Sequence, residues 1–122
     1  MIFNAAPDAV FLFDPDGRIV LANAMAEILL GYGQHEMLGQ SVEMLVPQDL
    51  RATYAAHYAH YSANPSSWPK GMRVESQVRC KDGNVLPVAI SLSQVELENE
   101  HEIIAVVRDI TTTREMEKLL RH

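Results

Sequence analysis

A turn followed by a strand pattern near the C-terminal end constrains the fold of this sequence more than any other feature. Asp82 and Gly83 indicate a hairpin turn, because glycine adopts positive φ without steric cost and aspartate tolerates it. After the turn, apolar residues alternate with small or polar ones over residues 86–93, which is the period of a strand with one apolar face. The core-facing residues of this predicted strand are Leu86, Val88, Ile90 and Leu92.

A further strand and then a helix are predicted beyond residue 100. Residues 103–107 form a continuous apolar run, which suits a buried strand and is too short to span a membrane. Thr112 and Glu115 have the spacing of a capping box, in which each side chain satisfies a free backbone N–H at a helix start. The apolar stripe of this tail helix consists of Met116, Leu119 and Leu120. One short helix cannot bury such a stripe alone, so we predict a homodimer of the parent protein, formed through the N-terminal Ile2 and Phe3 together with the tail.

The N-terminal part of the sequence predicts another hairpin and a helix. Apolar strands at residues 9–13 and 18–22 are separated by the turn sequence Asp-Pro-Asp-Gly, in which proline presets one turn position and glycine closes the turn. Asn23 is placed to cap a helix over residues 24–30, because its side-chain oxygen can accept an otherwise unpaired N–H. Gly31 suits the left-handed conformation that commonly ends a helix.

The longest helical pattern covers residues 48–63, and a strand is predicted over residues 72–80. One face of that helix carries Leu50, Tyr54, His57, Tyr58 and Tyr61, at positions i, i+4, i+7, i+8 and i+11. Residues with this spacing lie on the same side of an α-helix, and we expect this side to face the interior. Buried hydroxyl and imidazole groups need hydrogen-bond partners. Water or a small polar or aromatic ligand would supply them.

Length and charge restrict the class of protein. A chain of 122 residues suits one domain that buries about two thirds of its unfolded surface. Its formal charge of −6 provides no basic surface for nucleic acid or an anionic membrane. The single cysteine, Cys80, cannot form an internal disulfide and suits a reducing compartment. Since no leader and no apolar run of membrane-spanning length is present, we expect a cytoplasmic domain without direct membrane contact.

Several short motifs occur in an order that resembles the PAS family over essentially the whole chain. The most specific are Asp16-Gly17, Asn23-Ala24, Gly31-Tyr32, Leu38-Gly39, Val46-Pro47, Lys81-Asp82-Gly83 and Arg108-Asp109-Ile110-Thr111. The resemblance implies an α+β fold, with a five-stranded antiparallel sheet and with short helices and one long helix packed on one face. It also implies a PAS domain over residues 1–111, and the beginning of a signalling helix over residues 112–122.

The resemblance further implies a sensory module that binds a small ligand or cofactor in an internal pocket. The signal would pass through the terminal helices to an output domain of the parent chain, such as a histidine kinase or a cyclic-di-GMP enzyme. The candidate pocket residues are Tyr54, His57, Tyr58, Tyr61, Ile90, Leu92, Ala105 and Val107. Asp109 and Thr111 are the candidate relay residues between the last strand and the tail helix.

The identity of the cofactor stays open. Relatives that attach flavin through a cysteine use an Asn-Cys-Arg segment, and the corresponding residues 34–40 contain no cysteine, which disfavours that chemistry. Haem-binding relatives carry a histidine ligand at a position that corresponds here to Tyr54. His57 lies one turn further along the same face, so haem iron would be held by His57 or Tyr54 if haem is bound.

Two other classes of function are alternatives. A ligand-free PAS domain could serve for dimerisation and protein interaction alone. A small hydrolase would need a catalytic pair such as His57 with Asp49 or Glu75, but no spacing of a catalytic triad and no nucleophile elbow is present. His57 and His60 could share a metal ion, yet no third ligand lies nearby in the sequence. We therefore predict no catalytic residues and no metal site apart from haem iron.

Overall fold

A computed structural model describes residues 8–52, 72–97 and 100–120. Its strands form one five-stranded antiparallel sheet in the order β2-β1-β5-β4-β3. The strands are β1 Ala9–Phe13, β2 Ile19–Ala22, β3 Met72–Arg79, β4 Val85–Leu97 and β5 Glu100–Asp109. The predicted five-stranded α+β fold is therefore confirmed.

Short helices follow the first two strands, and a longer helix follows the last strand. The helices are α1 Ala24–Leu30, α2 Gln34–Met37 and α3 Thr111–Leu120, with 3-10 helices at Val42–Leu45 and Gln48–Leu50. Helix α1 has the predicted bounds, and Gly31 ends it with a φ of 82°. Most of the helix predicted over residues 48–63 lies outside the described residues.

The bounds of β4, β5 and α3 differ from the sequence-based prediction. Strands β4 and β5 continue beyond the apolar segments, and their pairing extends to Leu97 opposite Glu100, because backbone pairing in a hairpin does not require apolar side chains. Helix α3 begins at Thr111, so the predicted capping box at Thr112 and Glu115 is wrong. The reason is that Asp109, at the end of β5, already accepts a hydrogen bond from the backbone N–H of Thr111 at 2.9 Å.

The core lies between one face of the sheet and the helical segment. Apolar side chains from β1, β4 and β5 meet buried residues of both short helices and of the first 3-10 helix. The largest fully buried side chains are Phe11, Ile19, Leu30, Met37, Val88 and Asn23. The rings of Phe11 and Phe13 stack with centroids 5.8 Å apart, because alternate residues of a strand share a face.

Asn23 is the polar member of this core and joins three elements. Its Oδ1 accepts hydrogen bonds from the backbone N–H of Val10 at 2.9 Å and of Ala26 at 3.0 Å. Its Nδ2 donates to the backbone carbonyl of Asp8 at 3.0 Å. The predicted helix cap is confirmed, and the same side chain also binds the first strand.

The segment after α2 is attached to β2 through the backbone. Ile19 donates its N–H to the carbonyl of Gln40 at 2.9 Å, and Gly39 donates to the carbonyl of Ile19 at 2.8 Å. The N–H of Val42 binds the carbonyl of Gly17. These bonds pair the free edge of β2 and hold the helical segment beside the sheet.

No helix in the described ranges has both the length and the apolar character needed to cross a membrane.

We predict that Asn23→Ala lowers the free energy of unfolding by about 2–4 kcal/mol, because it removes a helix cap and leaves buried backbone groups unpaired. Urea unfolding followed by circular dichroism would measure the loss. Ser41→Ala is the control, since Ser41 is an exposed cap that accepts one bond, from the N–H of Glu43. Ser41→Ala should lower the free energy of unfolding by only about 0.5–1 kcal/mol. Equal losses in the two variants would contradict a special role for Asn23.

Candidate functional site

The four strand residues of the candidate pocket lie together on one face of the sheet. Ile90 is opposite Val107, and Leu92 is opposite Ala105. On the other side of β5, Val107 is opposite Ala9 and Ala105 is opposite Phe11. Ala9 and Phe11 were not among the predicted wall residues, because the first strand is apolar throughout and its sequence does not show which side faces the core. Their position beside β5 follows only from the order of the strands in the sheet.

The burial of these residues is uneven along β4. Val88, Ala105 and Val107 are buried, whereas Ile90 and Leu92 on the same face are only half-buried. Strand β4 lies between β3 and β5, so this exposure does not result from a position at the edge of the sheet. The core-facing side of β4 therefore retains accessible apolar surface at Ile90 and Leu92.

The residues predicted for the opposite wall, Tyr54, His57, Tyr58 and Tyr61, lie outside the described residues. Their contacts with the sheet remain a prediction.

A polar contact holds the helical segment against the hairpin that leads into β4. The Nζ of Lys81 lies 2.8 Å from Oε2 of Glu36, and Oε1 of Glu36 accepts from the N–H of Gly33 at 2.8 Å. The N–H of Lys81 donates to the carbonyl of Leu30 at 2.9 Å. This arrangement fixes α1 and α2 relative to the strand that carries Ile90 and Leu92.

The ion pair also changes the titration of Glu36. Hydrogen bonds from Lys81 and then from the backbone of Gly33 lower the pKa of this carboxyl below its ordinary value of 4.5. A carboxylate with a lowered pKa stabilises the folded state above its ordinary pKa, and this contribution disappears as the pH falls through the lowered value.

The end of β5 is joined to α3 by the two predicted relay residues. The Oγ1 of Thr111 donates to Oδ1 of Asp109 at 2.6 Å, and the same oxygen accepts the N–H of Thr111. Between them, Ile110 is buried, and its N–H binds the carbonyl of Pro87 in β4 at 3.1 Å. The first turn of α3 is thus attached to both central strands.

The described residues contain few groups with obvious chemical reactivity. No group of three His, Cys, Asp or Glu side chains in these ranges is arranged to hold a metal ion. Burial raises the pKa of the Cys80 thiol, and the charges of Asp82 and Asp109 raise it further. The thiol therefore stays protonated near neutral pH and is a poor nucleophile there.

Comparison with known proteins identifies similar sequences. A family model described as PAS fold matches residues 1–110. The oxygen sensor protein DosP of Escherichia coli is 32% identical over 98 residues, which are 80% of this chain and 12% of that protein. The sensor protein FixL of Bradyrhizobium diazoefficiens is 26% identical over 120 residues, which are 98% of this chain and 24% of that protein. The chain therefore spans a quarter or less of the length of these relatives.

Solved structures share the fold. The PAS domain of a protein from Colwellia psychrerythraea has a TM-score of 0.76 and 25% identity, and the similarity covers 90% of this chain and 92% of that one. The PAS domain of an HTR-like protein from Haloarcula marismortui has a TM-score of 0.72 and 25% identity, covering 89% and 86% of the two chains.

We predict that Glu36→Gln lowers stability at pH 7 and that the difference from the native chain disappears in acid. The reason is that protonation of Glu36 removes the charge from the native chain as well. Thermal unfolding measured between pH 7 and pH 3 would test this. Glu43→Gln is the control, because Glu43 is exposed and belongs to none of the ion pairs found among the described residues. A difference for Glu36→Gln that is independent of pH would contradict the assignment.

Proposed function

Because this chain belongs to the PAS fold family, we propose that it is a sensory module that binds a small ligand or cofactor between the sheet and the helix predicted over residues 48–63. The signal passes through α3 to an output domain of the parent protein, such as a histidine kinase or a cyclic-di-GMP enzyme. The chain is homologous to sensor proteins, which supports this role.

The observation that carries the proposal is the accessible apolar surface on the core-facing side of β4. Central strands of a sheet normally bury their apolar side chains, so half-buried Ile90 and Leu92 offer apolar surface that a bound group could cover. Such a group would contact Ala105 and Val107 across the pairs with β5. The tyrosine and histidine side chains of residues 54–61, which are predicted to face the sheet, would supply its polar contacts.

Haem is one candidate for this group. The apolar wall of β4 and β5 suits the face of a porphyrin, and a relative is named as an oxygen sensor. His57 or Tyr54 would hold the iron, and a bound haem would supply a coordination position for a small gaseous ligand. A flavin attached through a cysteine is disfavoured, because the single cysteine, Cys80, lies beyond residues 34–40 and is buried.

A second function, dimerisation, is supported by the surface of α3. Met116, Leu119 and Leu120 are all exposed, and Leu120 retains 82% of its accessible surface. A homodimer of the parent protein, in which the α3 helices pair together with Ile2 and Phe3, would cover this stripe. Relay of a signal and dimerisation through α3 are compatible.

The domain is proposed to be non-catalytic and cytoplasmic, with no nucleic acid partner and no direct membrane contact. The hydrolase alternative gains no support, because the Glu75 carboxylate forms an ion pair with Arg114. The reducing environment inferred from the single cysteine supports the proposed location.

The direct test is to purify the chain from cells supplied with haem and flavin precursors. An absorbance spectrum would reveal a chromophore, and native mass spectrometry would reveal added mass. A bound haem or another small molecule is expected. A chain that carries no added mass and gains none on titration with haem or flavin would leave dimerisation as its function.

We predict that Ala105→Val weakens binding of that molecule at least about tenfold, because the added methyl groups extend from the wall into the proposed pocket. Ala89→Val is a matched control, since Ala89 is equally buried but lies on the opposite face of the sheet. Overpacking should destabilise both variants by about 1–3 kcal/mol, and only the first should lose affinity. If Ala105→Val and Ala89→Val bind the molecule with equal affinity in a titration, the molecule does not bind against Ala105.

We predict that Asp109→Ala and Thr111→Ala uncouple sensing from output while ligand affinity stays nearly unchanged. Each variant removes hydrogen bonds between β5 and the first turn of α3 and leaves the wall residues intact. The measurement is the output activity of the full-length parent with and without stimulus. Thr112→Ala is the control, because Thr112 is an exposed residue within α3. Normal regulation in both variants would refute the relay role.

A further inference from the structure

Helix α3 is anchored at its start and exposed along its body. Ile110 lies under the start of the helix and is 6% exposed. Every residue of α3 after Thr111 is exposed, so apolar packing against the sheet does not set the direction in which the helix continues. A polar contact further along the helix can therefore decide that direction.

Such a contact is made by Arg114, the fourth residue of α3. Its Nη2 donates to Oε1 of Glu75 at 3.0 Å, and the two side chains are 50% and 57% exposed. Glu75 belongs to β3, whereas α3 follows directly from β5. Within the described part of the chain, this is the only ion pair that joins α3 to the sheet.

The surroundings of Glu75 make the contact specific. Glu75 is opposite Ala89, and Ala89 is opposite Arg108, on the face away from the candidate pocket. The guanidinium of Arg108 binds both carboxylate oxygens of Asp8, at 3.3 and 3.1 Å, and Asp8 raises the pKa of Arg108. Because Arg108 already has its own carboxylate, Glu75 is left for Arg114.

We propose that the ion pair between Glu75 and Arg114 is a releasable latch that holds α3 against β3. Strand β5 sets where the helix starts, and β3 sets where it points. A displacement of β3 relative to β5 therefore changes the direction of α3. The ion pair can be studied in this chain without a ligand or an output domain. Its role in regulation rests on the relay function proposed above.

The strength of the contact suits a latch that a signal can release. An ion pair between exposed side chains typically changes an equilibrium by no more than about fivefold. A ligand that displaces β3 needs only a comparable difference in affinity between the two states to shift the helix.

The latch can be tested by exchanging the two charges in the 122-residue chain. Spin labels at Gln77→Cys on β3 and Lys118→Cys on α3, in a Cys80→Ala background, would give the distribution of distances between strand and helix. Both labelled positions are exposed. Glu75→Lys or Arg114→Glu should broaden a narrow distribution, and the double exchange Glu75→Lys with Arg114→Glu should narrow it again.

Hydrogen exchange of the amides of residues 115–120 provides a second measurement without labels. Each single charge reversal should raise the rate of hydrogen exchange about threefold to fivefold. The variant with both charges swapped should return the rate to within about twofold of the native value. In the native chain, 1 M salt should also raise the rate. Lys81→Glu is the control, because it breaks an exposed ion pair that does not involve α3.

The latch is wrong if both single variants keep the native distance distribution and the native rate of hydrogen exchange. It is also wrong if the variant with both charges swapped does not regain the native values. Neither measurement requires a ligand or an output domain. A failure of the latch is therefore distinguishable from a failure of the sensory proposal, which the binding experiment with Ala105→Val tests.

Discussion

The arrangement of the molecule depends on the position of β5 at the centre of the sheet. This strand comes last in the chain, but it pairs with β1 on one side and with β4 on the other. Ile103, Ala105 and Val107 of β5 face the core, whereas Ile104 and Val106 face the other side. One backbone segment therefore contributes to the candidate pocket, joins both halves of the sheet and leads directly into α3.

Two polar contacts of different character attach the helical segment to this sheet. Asn23 is fully buried and satisfies backbone groups of β1 and α1, so its loss would leave those groups without water or partner. The pair of Lys81 and Glu36 is exposed and is screened by solvent. We expect the first contact to contribute more to stability than the second, because it satisfies buried backbone groups.

Much of the secondary structure could be predicted because its causes are local. The turn at Asp82 and Gly83 follows from residue types that accept positive φ, and Gly83 indeed has a φ of 91°. Asn23 and Gly31 likewise mark the two ends of α1. The apolar alternation along residues 86–93 correctly indicated which face of β4 meets the core. The pairing of Ala105 and Val107 with that face depends on the register of β4 and β5, which a continuous apolar run does not reveal.

The sequence by itself determined the five strands, the bounds of α1, the core face of β4 and the family. Tertiary structure alone decided what depends on residues distant in the chain. No local pattern marks Glu75 as the partner of Arg114, 39 residues away, or Asp8 as the partner of Arg108, 100 residues away. The start of α3 is a different case, because the N–H of Thr111 binds Asp109 only two residues away. Only the bond from the N–H of Ile110 to the carbonyl of Pro87 depends on a distant strand. Periodicity reports which residues share a face, whereas contacts between elements depend on strand order and register, which only the folded chain establishes.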